Sequence, residues 1–124
     1  MKIHLIDDDE ILNALHKSVL LEFMPNAEIK DFRSGQMYLD YAESKSFVEP
    51  DYALVDIRMP ELDGLELIKI LESKIENPLR NSKVYVVSST LNQKDKKDAT
   101  SFKTVDLFIE KPIPFDKVSR LFNL

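Results

Sequence analysis

Apolar residues gather in five short runs, at positions 2–6, 27–32, 52–55, 83–87 and 105–109. Each is followed by a segment with helical character. Over residues 10–23, Ile11, Leu12, Leu15, Val19 and Phe23 recur at a helical period, and Pro25 stops the pattern. Ser34-Gly35 opens a second helix that carries Met37, Tyr38, Tyr41 and Ala42, and Leu65, Leu67, Ile68 and Leu71 line a third. Residues 91–102 read as a polar helix and 115–122 as a short final one, with loops or frayed ends at 44–50 and 76–82. The run at 52–55 shows no polar alternation, as expected of a central parallel strand covered on both faces. The order βαβαβαβαβα predicts an α/β fold, a doubly wound parallel sheet with right-handed crossovers and helices on both faces. No repeat, linker or low-complexity tract divides the chain, so one domain over 1–124 is expected.

Composition narrows the function classes. With 124 residues, 44% apolar and 31% charged, the chain can form one hydrophobic core. No apolar run is long enough to span a bilayer, and Met1-Lys2 leads into a strand without a signal-peptide pattern. Without cysteine there is no disulfide or thiol chemistry, which fits a cytoplasmic location. A net charge of −5 argues against nucleic acid as the direct partner. Lys94, Lys96, Lys97, Asp95 and Asp98 make the fourth helix a solvated, charge-mixed element, which can also form part of a partner-binding face.

The chemistry lies at strand ends. Asp56 closes the third run, Asp7-Asp8 the first, and Lys111-Pro112 follows the fifth. Ligands of open α/β sheets bind outside the carboxyl ends of the strands. Three acids and a lysine at those ends suit a divalent metal and a phosphoryl group. Asp9 reads as a helix cap. Asp63-Gly64 reads as a turn in which Gly64 supplies an unusual backbone angle. His4 and His16 form no ligand cluster.

Asp7-Asp8, Val55-Asp56-Ile57-Arg58-Met59-Pro60 with Asp63-Gly64, Ser88 after the fourth strand, and Lys111-Pro112 occur in an order and spacing that resemble the receiver domain of two-component response regulators, of the single-domain chemotaxis type. The resemblance runs from about residue 2 to 122. It implies a flavodoxin-like (βα)5 fold with strand order 2-1-3-4-5. It also implies Mg²⁺, with Mn²⁺ as a substitute, held by carboxylates of Asp8 and Asp56, by Asp7 through water and by the backbone carbonyl of Arg58. Asp56 would be the nucleophile that takes a phosphoryl group from a histidine kinase or phosphotransfer protein. Lys111 and the Ser88 hydroxyl would contact that group, and a cis Lys111-Pro112 bond would aim the lysine. Phe108 would move into space vacated by Ser88 and so alter the face made by helix 4, strand 5 and helix 5 for a downstream target protein. A phosphorylation-dependent homodimer is among the assemblies implied. So are a phosphorelay intermediate, a phosphate sink and a receiver cut from a longer regulator.

Departures and rivals sharpen this reading. No glycine precedes strand 5 in Ser101-Phe102-Lys103-Thr104-Val105, which leaves the exit of helix 4 open. Arg58 and Thr90 sit where residues tune acyl-phosphate lifetime. Neither orients an attacking water, so slow self-dephosphorylation is expected, with Arg58 shielding or pairing with the phosphoryl group. Haloacid-dehalogenase-like phosphatases need a second acid two residues after the nucleophile, where this chain has Arg58. The P-loop pattern is absent. Catalysis is therefore expected to stop at the chain's own phosphorylation and dephosphorylation. The intact set Asp7, Asp8, Asp56, Ser88 and Lys111 argues against a module that only binds.

Overall fold

The computed structural model describes residues 1–89 and 92–124. Five parallel strands, β1 (Lys2–Ile6), β2 (Glu28–Phe32), β3 (Tyr52–Asp56), β4 (Lys83–Ser88) and β5 (Val105–Glu110), form one sheet in the order β2-β1-β3-β4-β5. Helices α1 (Glu10–Phe23), α2 (Gly35–Glu43), α3 (Gly64–Ser73), α4 (Gln93–Thr100) and α5 (Val118–Leu121) alternate with them. The expected doubly wound fold and strand order are both present.

Residue alternation builds two cores. Ile3 and Leu5 face one side of β1, where Leu20 of α1 and Val118 of α5 pack. Ile6, Val55, Val84 and Val86 face the other, against Leu67, Ile68 and Leu71 of α3 and Ala99 of α4. Every residue of β3 is buried, which explains its unbroken apolar run.

Local chemistry sets the helix starts. Asp9 caps α1, its carboxylate accepting from Leu12 N–H at 3.0 Å, as expected. Ser34 caps α2 and Asn92 caps α4. Asp63 does more than turn the chain. It accepts from Glu66 N–H at 2.8 Å while Glu66 Oε1 accepts from Asp63 N–H at 3.1 Å, a reciprocal capping box at the start of α3.

Three expectations need correction. Gly64 has no positive φ; the left-handed residue of this loop is Glu61, at φ 67°. Gly64 is required by proximity instead, because a Cβ there would lie 2.1 Å from the carbonyl oxygen of Asp56. The final helix is shorter than residues 115–122: a 3₁₀ turn over Phe115–Lys117 precedes α5. The α5 end is closed by Asn123 at φ 56° and by Leu124 N–H donating to Ser119 C=O at 2.8 Å. Helix α4 covers Gln93–Thr100 within the expected 91–102, and Leu91 lies outside the described residues. Its exit needs no glycine, since Thr104 N–H and Oγ1 both donate to the Glu72 carboxylate of α3.

The two edges of the sheet differ. At the N-terminal edge, Asp51 ties β1 to β4 through Lys2 N–H, Lys2 C=O and Lys83 N–H. Met1, Asp51, Lys83, Phe122 and Asn123 surround a shallow recess there. At the opposite edge the loops carry the candidate site. Among the described residues no helix is long and apolar enough to cross a membrane.

Candidate phosphoacceptor site

Asp7 and Asp56 extend β1 and β3, and both are buried; Asp8, one residue on, is exposed. One oxygen from each of the three carboxylates lies within 4.8 Å of the others. Lys111, reached through the β5–α5 loop, places Nζ 3.1 Å from Asp7 Oδ2 and 3.0 Å from Asp56 Oδ1, with its side chain largely enclosed. Among the described residues that ammonium is the partner of the buried Asp56 Oδ1, which meets no other donor. Ser88 is the last residue of β4, 1% exposed, and aligned with Glu110 across the β4–β5 ladder.

The loops that present these groups are pinned from below. Ile57 N–H donates to Val87 C=O at 3.2 Å, and Gly64 N–H to Ile57 C=O at 2.9 Å, folding the β3–α3 loop over the end of β3. Lys111 N–H donates to Ser88 C=O at 2.8 Å, and the Lys111-Pro112 bond is cis, as the resemblance implied. Two further residues, both on α1 and neither singled out by the sequence as part of the site, support it. Asn13 of α1 donates from Nδ2 to the Asp7 carbonyl at 2.9 Å. His16, one turn on, accepts from Ile113 N–H through Nε2 at 3.2 Å, which requires a neutral ring protonated at Nδ1. Both are buried polar residues on a helix, and a buried polar residue with a partner far along the chain leaves no mark in hydrophobic periodicity.

Electrostatics follow from burial. Burial, then repulsion from Asp7, pushes the Asp56 carboxyl up to about 6 against the pull of Lys111 and a hydrogen bond from Arg58 N–H. Lys111 is opposed by its own burial, yet Asp56 and Asp7 hold it above the ordinary lysine value. Two crowded carboxylates with a third beside them, and a buried Asp56 oxygen met only by the Lys111 ammonium among the described residues, fit a small, hard divalent cation, which prefers oxygen donors.

The remaining expected residues are placed as follows. Phe108 is half-buried in β5, packs against the α2–α3 core, and lines a groove of about 450 Å³ with Leu107, Ile109 and Lys117. The Arg58 guanidinium extends to Asp95 of α4, Nη2 to Oδ2 2.6 Å. Asp95 is 6% exposed, so α4 is not solvated all round, although Lys94, Lys96 and Lys97 are exposed. Thr90 lies outside the described residues.

Comparison with known proteins agrees with this geometry. Residues 3–123 match the response regulator receiver domain family. A protein-glutamate methylesterase/protein-glutamine glutaminase of Halalkalibacterium halodurans is 32% identical over 115 residues, 90% of this chain and 30% of that protein. The chain spans between a fifth and a third of the length of the curated relatives it matches first. A two-component response regulator from Cytophaga hutchinsonii superposes with TM-score 0.82 at 27% identity, covering 98% of this chain and 93% of that one. Another from Legionella pneumophila gives 0.84 at 23%, covering 98% and 95%. With the family's pattern matched almost from end to end and its strand order and acidic cluster present, the chain belongs to the response regulator receiver domains.

Proposed function

We propose that this receiver accepts a phosphoryl group on Asp56 from a phosphohistidine of a histidine kinase or phosphotransfer protein, and that the modified form engages a downstream target protein. The observation that carries the reading is the Asp7–Asp8–Asp56 cluster with Lys111 Nζ on both Asp7 and Asp56. An Asp56 carboxylate oxygen attacks phosphorus, an O–P bond forms, the P–N bond of the donor breaks, and the imidazole leaves with the electron pair. Asp7, Asp8, Asp56 and the Arg58 carbonyl would hold Mg²⁺ or Mn²⁺. When bound, the ion supplies positive charge to the phosphoryl oxygens.

The chain's own residues do the rest. Lys111 presents a fixed ammonium to an oxygen of the transferred group. Ser88, at the end of β4, offers its hydroxyl to another. Burial of Asp56 excludes bulk water from the anhydride. Asp56 is consumed once per phosphoryl group, so the protein acts as a stoichiometric acceptor with no turnover of a small substrate. Phe108, on the groove side of β5, would follow Ser88 and reshape the α4–β5–α5 face.

Intact-mass spectrometry after incubation with acetyl phosphate tests the assignment. One phosphoryl adduct is expected, dependent on Mg²⁺ and absent in Asp56→Asn. No adduct under rapid quenching would leave a module that acts by binding alone.

A further inference from the structure

Arg58 touches the site and α4 at once. Its backbone N–H bonds to the Asp56 carboxylate, while its guanidinium reaches Asp95 Oδ2 at 2.6 Å. The two partners of that ion pair are unequal. The Arg58 side chain is 65% exposed, whereas that of Asp95 is 8% exposed. A buried carboxylate needs a compensating charge, so Asp95 depends on the guanidinium far more than an exposed surface pair would. Asp95 lies in the first turn of α4, where its own N–H donates to the Asn92 cap at 3.2 Å. The pair therefore fastens the start of α4 to the loop that follows the nucleophile.

The same guanidinium belongs to the residue two positions after Asp56, whose backbone already meets the Asp56 carboxylate. Its planar fork suits phosphoryl oxygens as well as a carboxylate. A phosphoryl dianion on Asp56 and the carboxylate of Asp95 thus compete for one cation. We propose that Asp95 is a positioning residue. It holds Arg58 on α4 against the pull of the phosphoryl group, and so sets how long that group persists and how firmly the first turn of α4 is fastened. This inference rests on the phosphoacceptor reading of Asp56. Removing the Asp95 charge frees the guanidinium for the phosphoryl group and removes a nearby negative charge, and both effects strengthen anion binding.

The test is a titration of the full chain with beryllofluoride in the presence of Mg²⁺, comparing wild type, Asp95→Asn, Arg58→Ala and the double variant. Asp95→Asn should bind about 5-fold or more tightly than wild type. On the Arg58→Ala background the same substitution should change affinity less than about 2-fold. Loss of the acetyl-phosphate-derived adduct should slow in parallel in Asp95→Asn. Wild type supplies a measurement that needs no variant: the Arg58 side-chain nitrogen resonances should shift when beryllofluoride binds. Equal affinities for wild type and Asp95→Asn, or an equal gain with and without Arg58, or static Arg58 side-chain resonances, would overturn the role of Asp95 and leave the phosphoacceptor reading intact. Failure of wild type to bind beryllofluoride at all would overturn both.

Discussion

Asp56 carries a charge that its surroundings oppose. Burial and the neighbouring Asp7 raise its carboxyl to about 6, and Lys111 offsets only part of that. Making the group neutral should therefore stabilise the metal-free fold, as is common where a site is kept for chemistry rather than stability. Thermal melts without divalent ions are expected to place Asp56→Asn above wild type; added Mg²⁺ should raise wild type and leave the variant nearly unmoved. His4 behaves differently. It sits among Phe32, Tyr38, Tyr41 and Phe47 with Nδ1 2.9 Å from the Tyr38 hydroxyl. Burial, assisted by Lys30, lowers it to about 4. Between that value and the ordinary 6.5 the unfolded chain binds a proton that the folded chain refuses. Its contribution is thus fully present above pH 6.5 and lost as pH falls through 6.5 toward 4, on the order of 3 kcal/mol from this residue. Urea unfolding across that range, with the His4 ring followed by NMR, checks it. A folded-state His4 that titrates near 6.5 would remove the explanation.

At the scale of elements, Gly64 decides how α3 meets the site. Its Cα hydrogen is all that separates the helix start from the Asp56 carbonyl, since a Cβ would approach to 2.1 Å. Gly64→Ala should destabilise by about 3 kcal/mol, the upper part of the range for overpacking, and should abolish the phosphoryl adduct by displacing Asp56. A variant with wild-type stability and wild-type adduct would show that the loop yields. The sequence pointed to this glycine for the wrong reason, because a turn composition does not distinguish a left-handed backbone from a tight approach. Strands were the most legible elements. The buried β3 and β4 are written as nearly continuous apolar runs and β1 as one interrupted by His4, and the ends that carry Asp7, Asp56 and Ser88 follow from those runs. Helix α4 was legible as a helix but not in its orientation. Asp95 and Ala99, four residues apart, share its buried face, and a buried aspartate looks like any other charge until its arginine partner, 37 residues earlier, is placed beside it. Asn13 and His16 stayed hidden for the same reason: their partners, the Asp7 carbonyl and the Ile113 amide, belong to loops that the helix meets only in the fold.

On the scale of the whole molecule, the sheet has a tied edge and a chemical edge. Asp51 joins β1 to β4 at one, and the acidic cluster with Lys111 occupies the other. The recess at the tied edge is lined by Met1 and by Asn123, the residue before Leu124. Met1 and Asn123 therefore sit at the same end of the molecule, at the opposite end of the strands from Asp56. A fluorophore or a surface linker joined at either position points away from the phosphoacceptor, and a donor and acceptor dye placed one at each position would sit side by side. Tethered in this way, the protein would present every immobilised copy with its reactive edge toward solution, so a partner that reads Asp56 would meet a uniformly oriented layer.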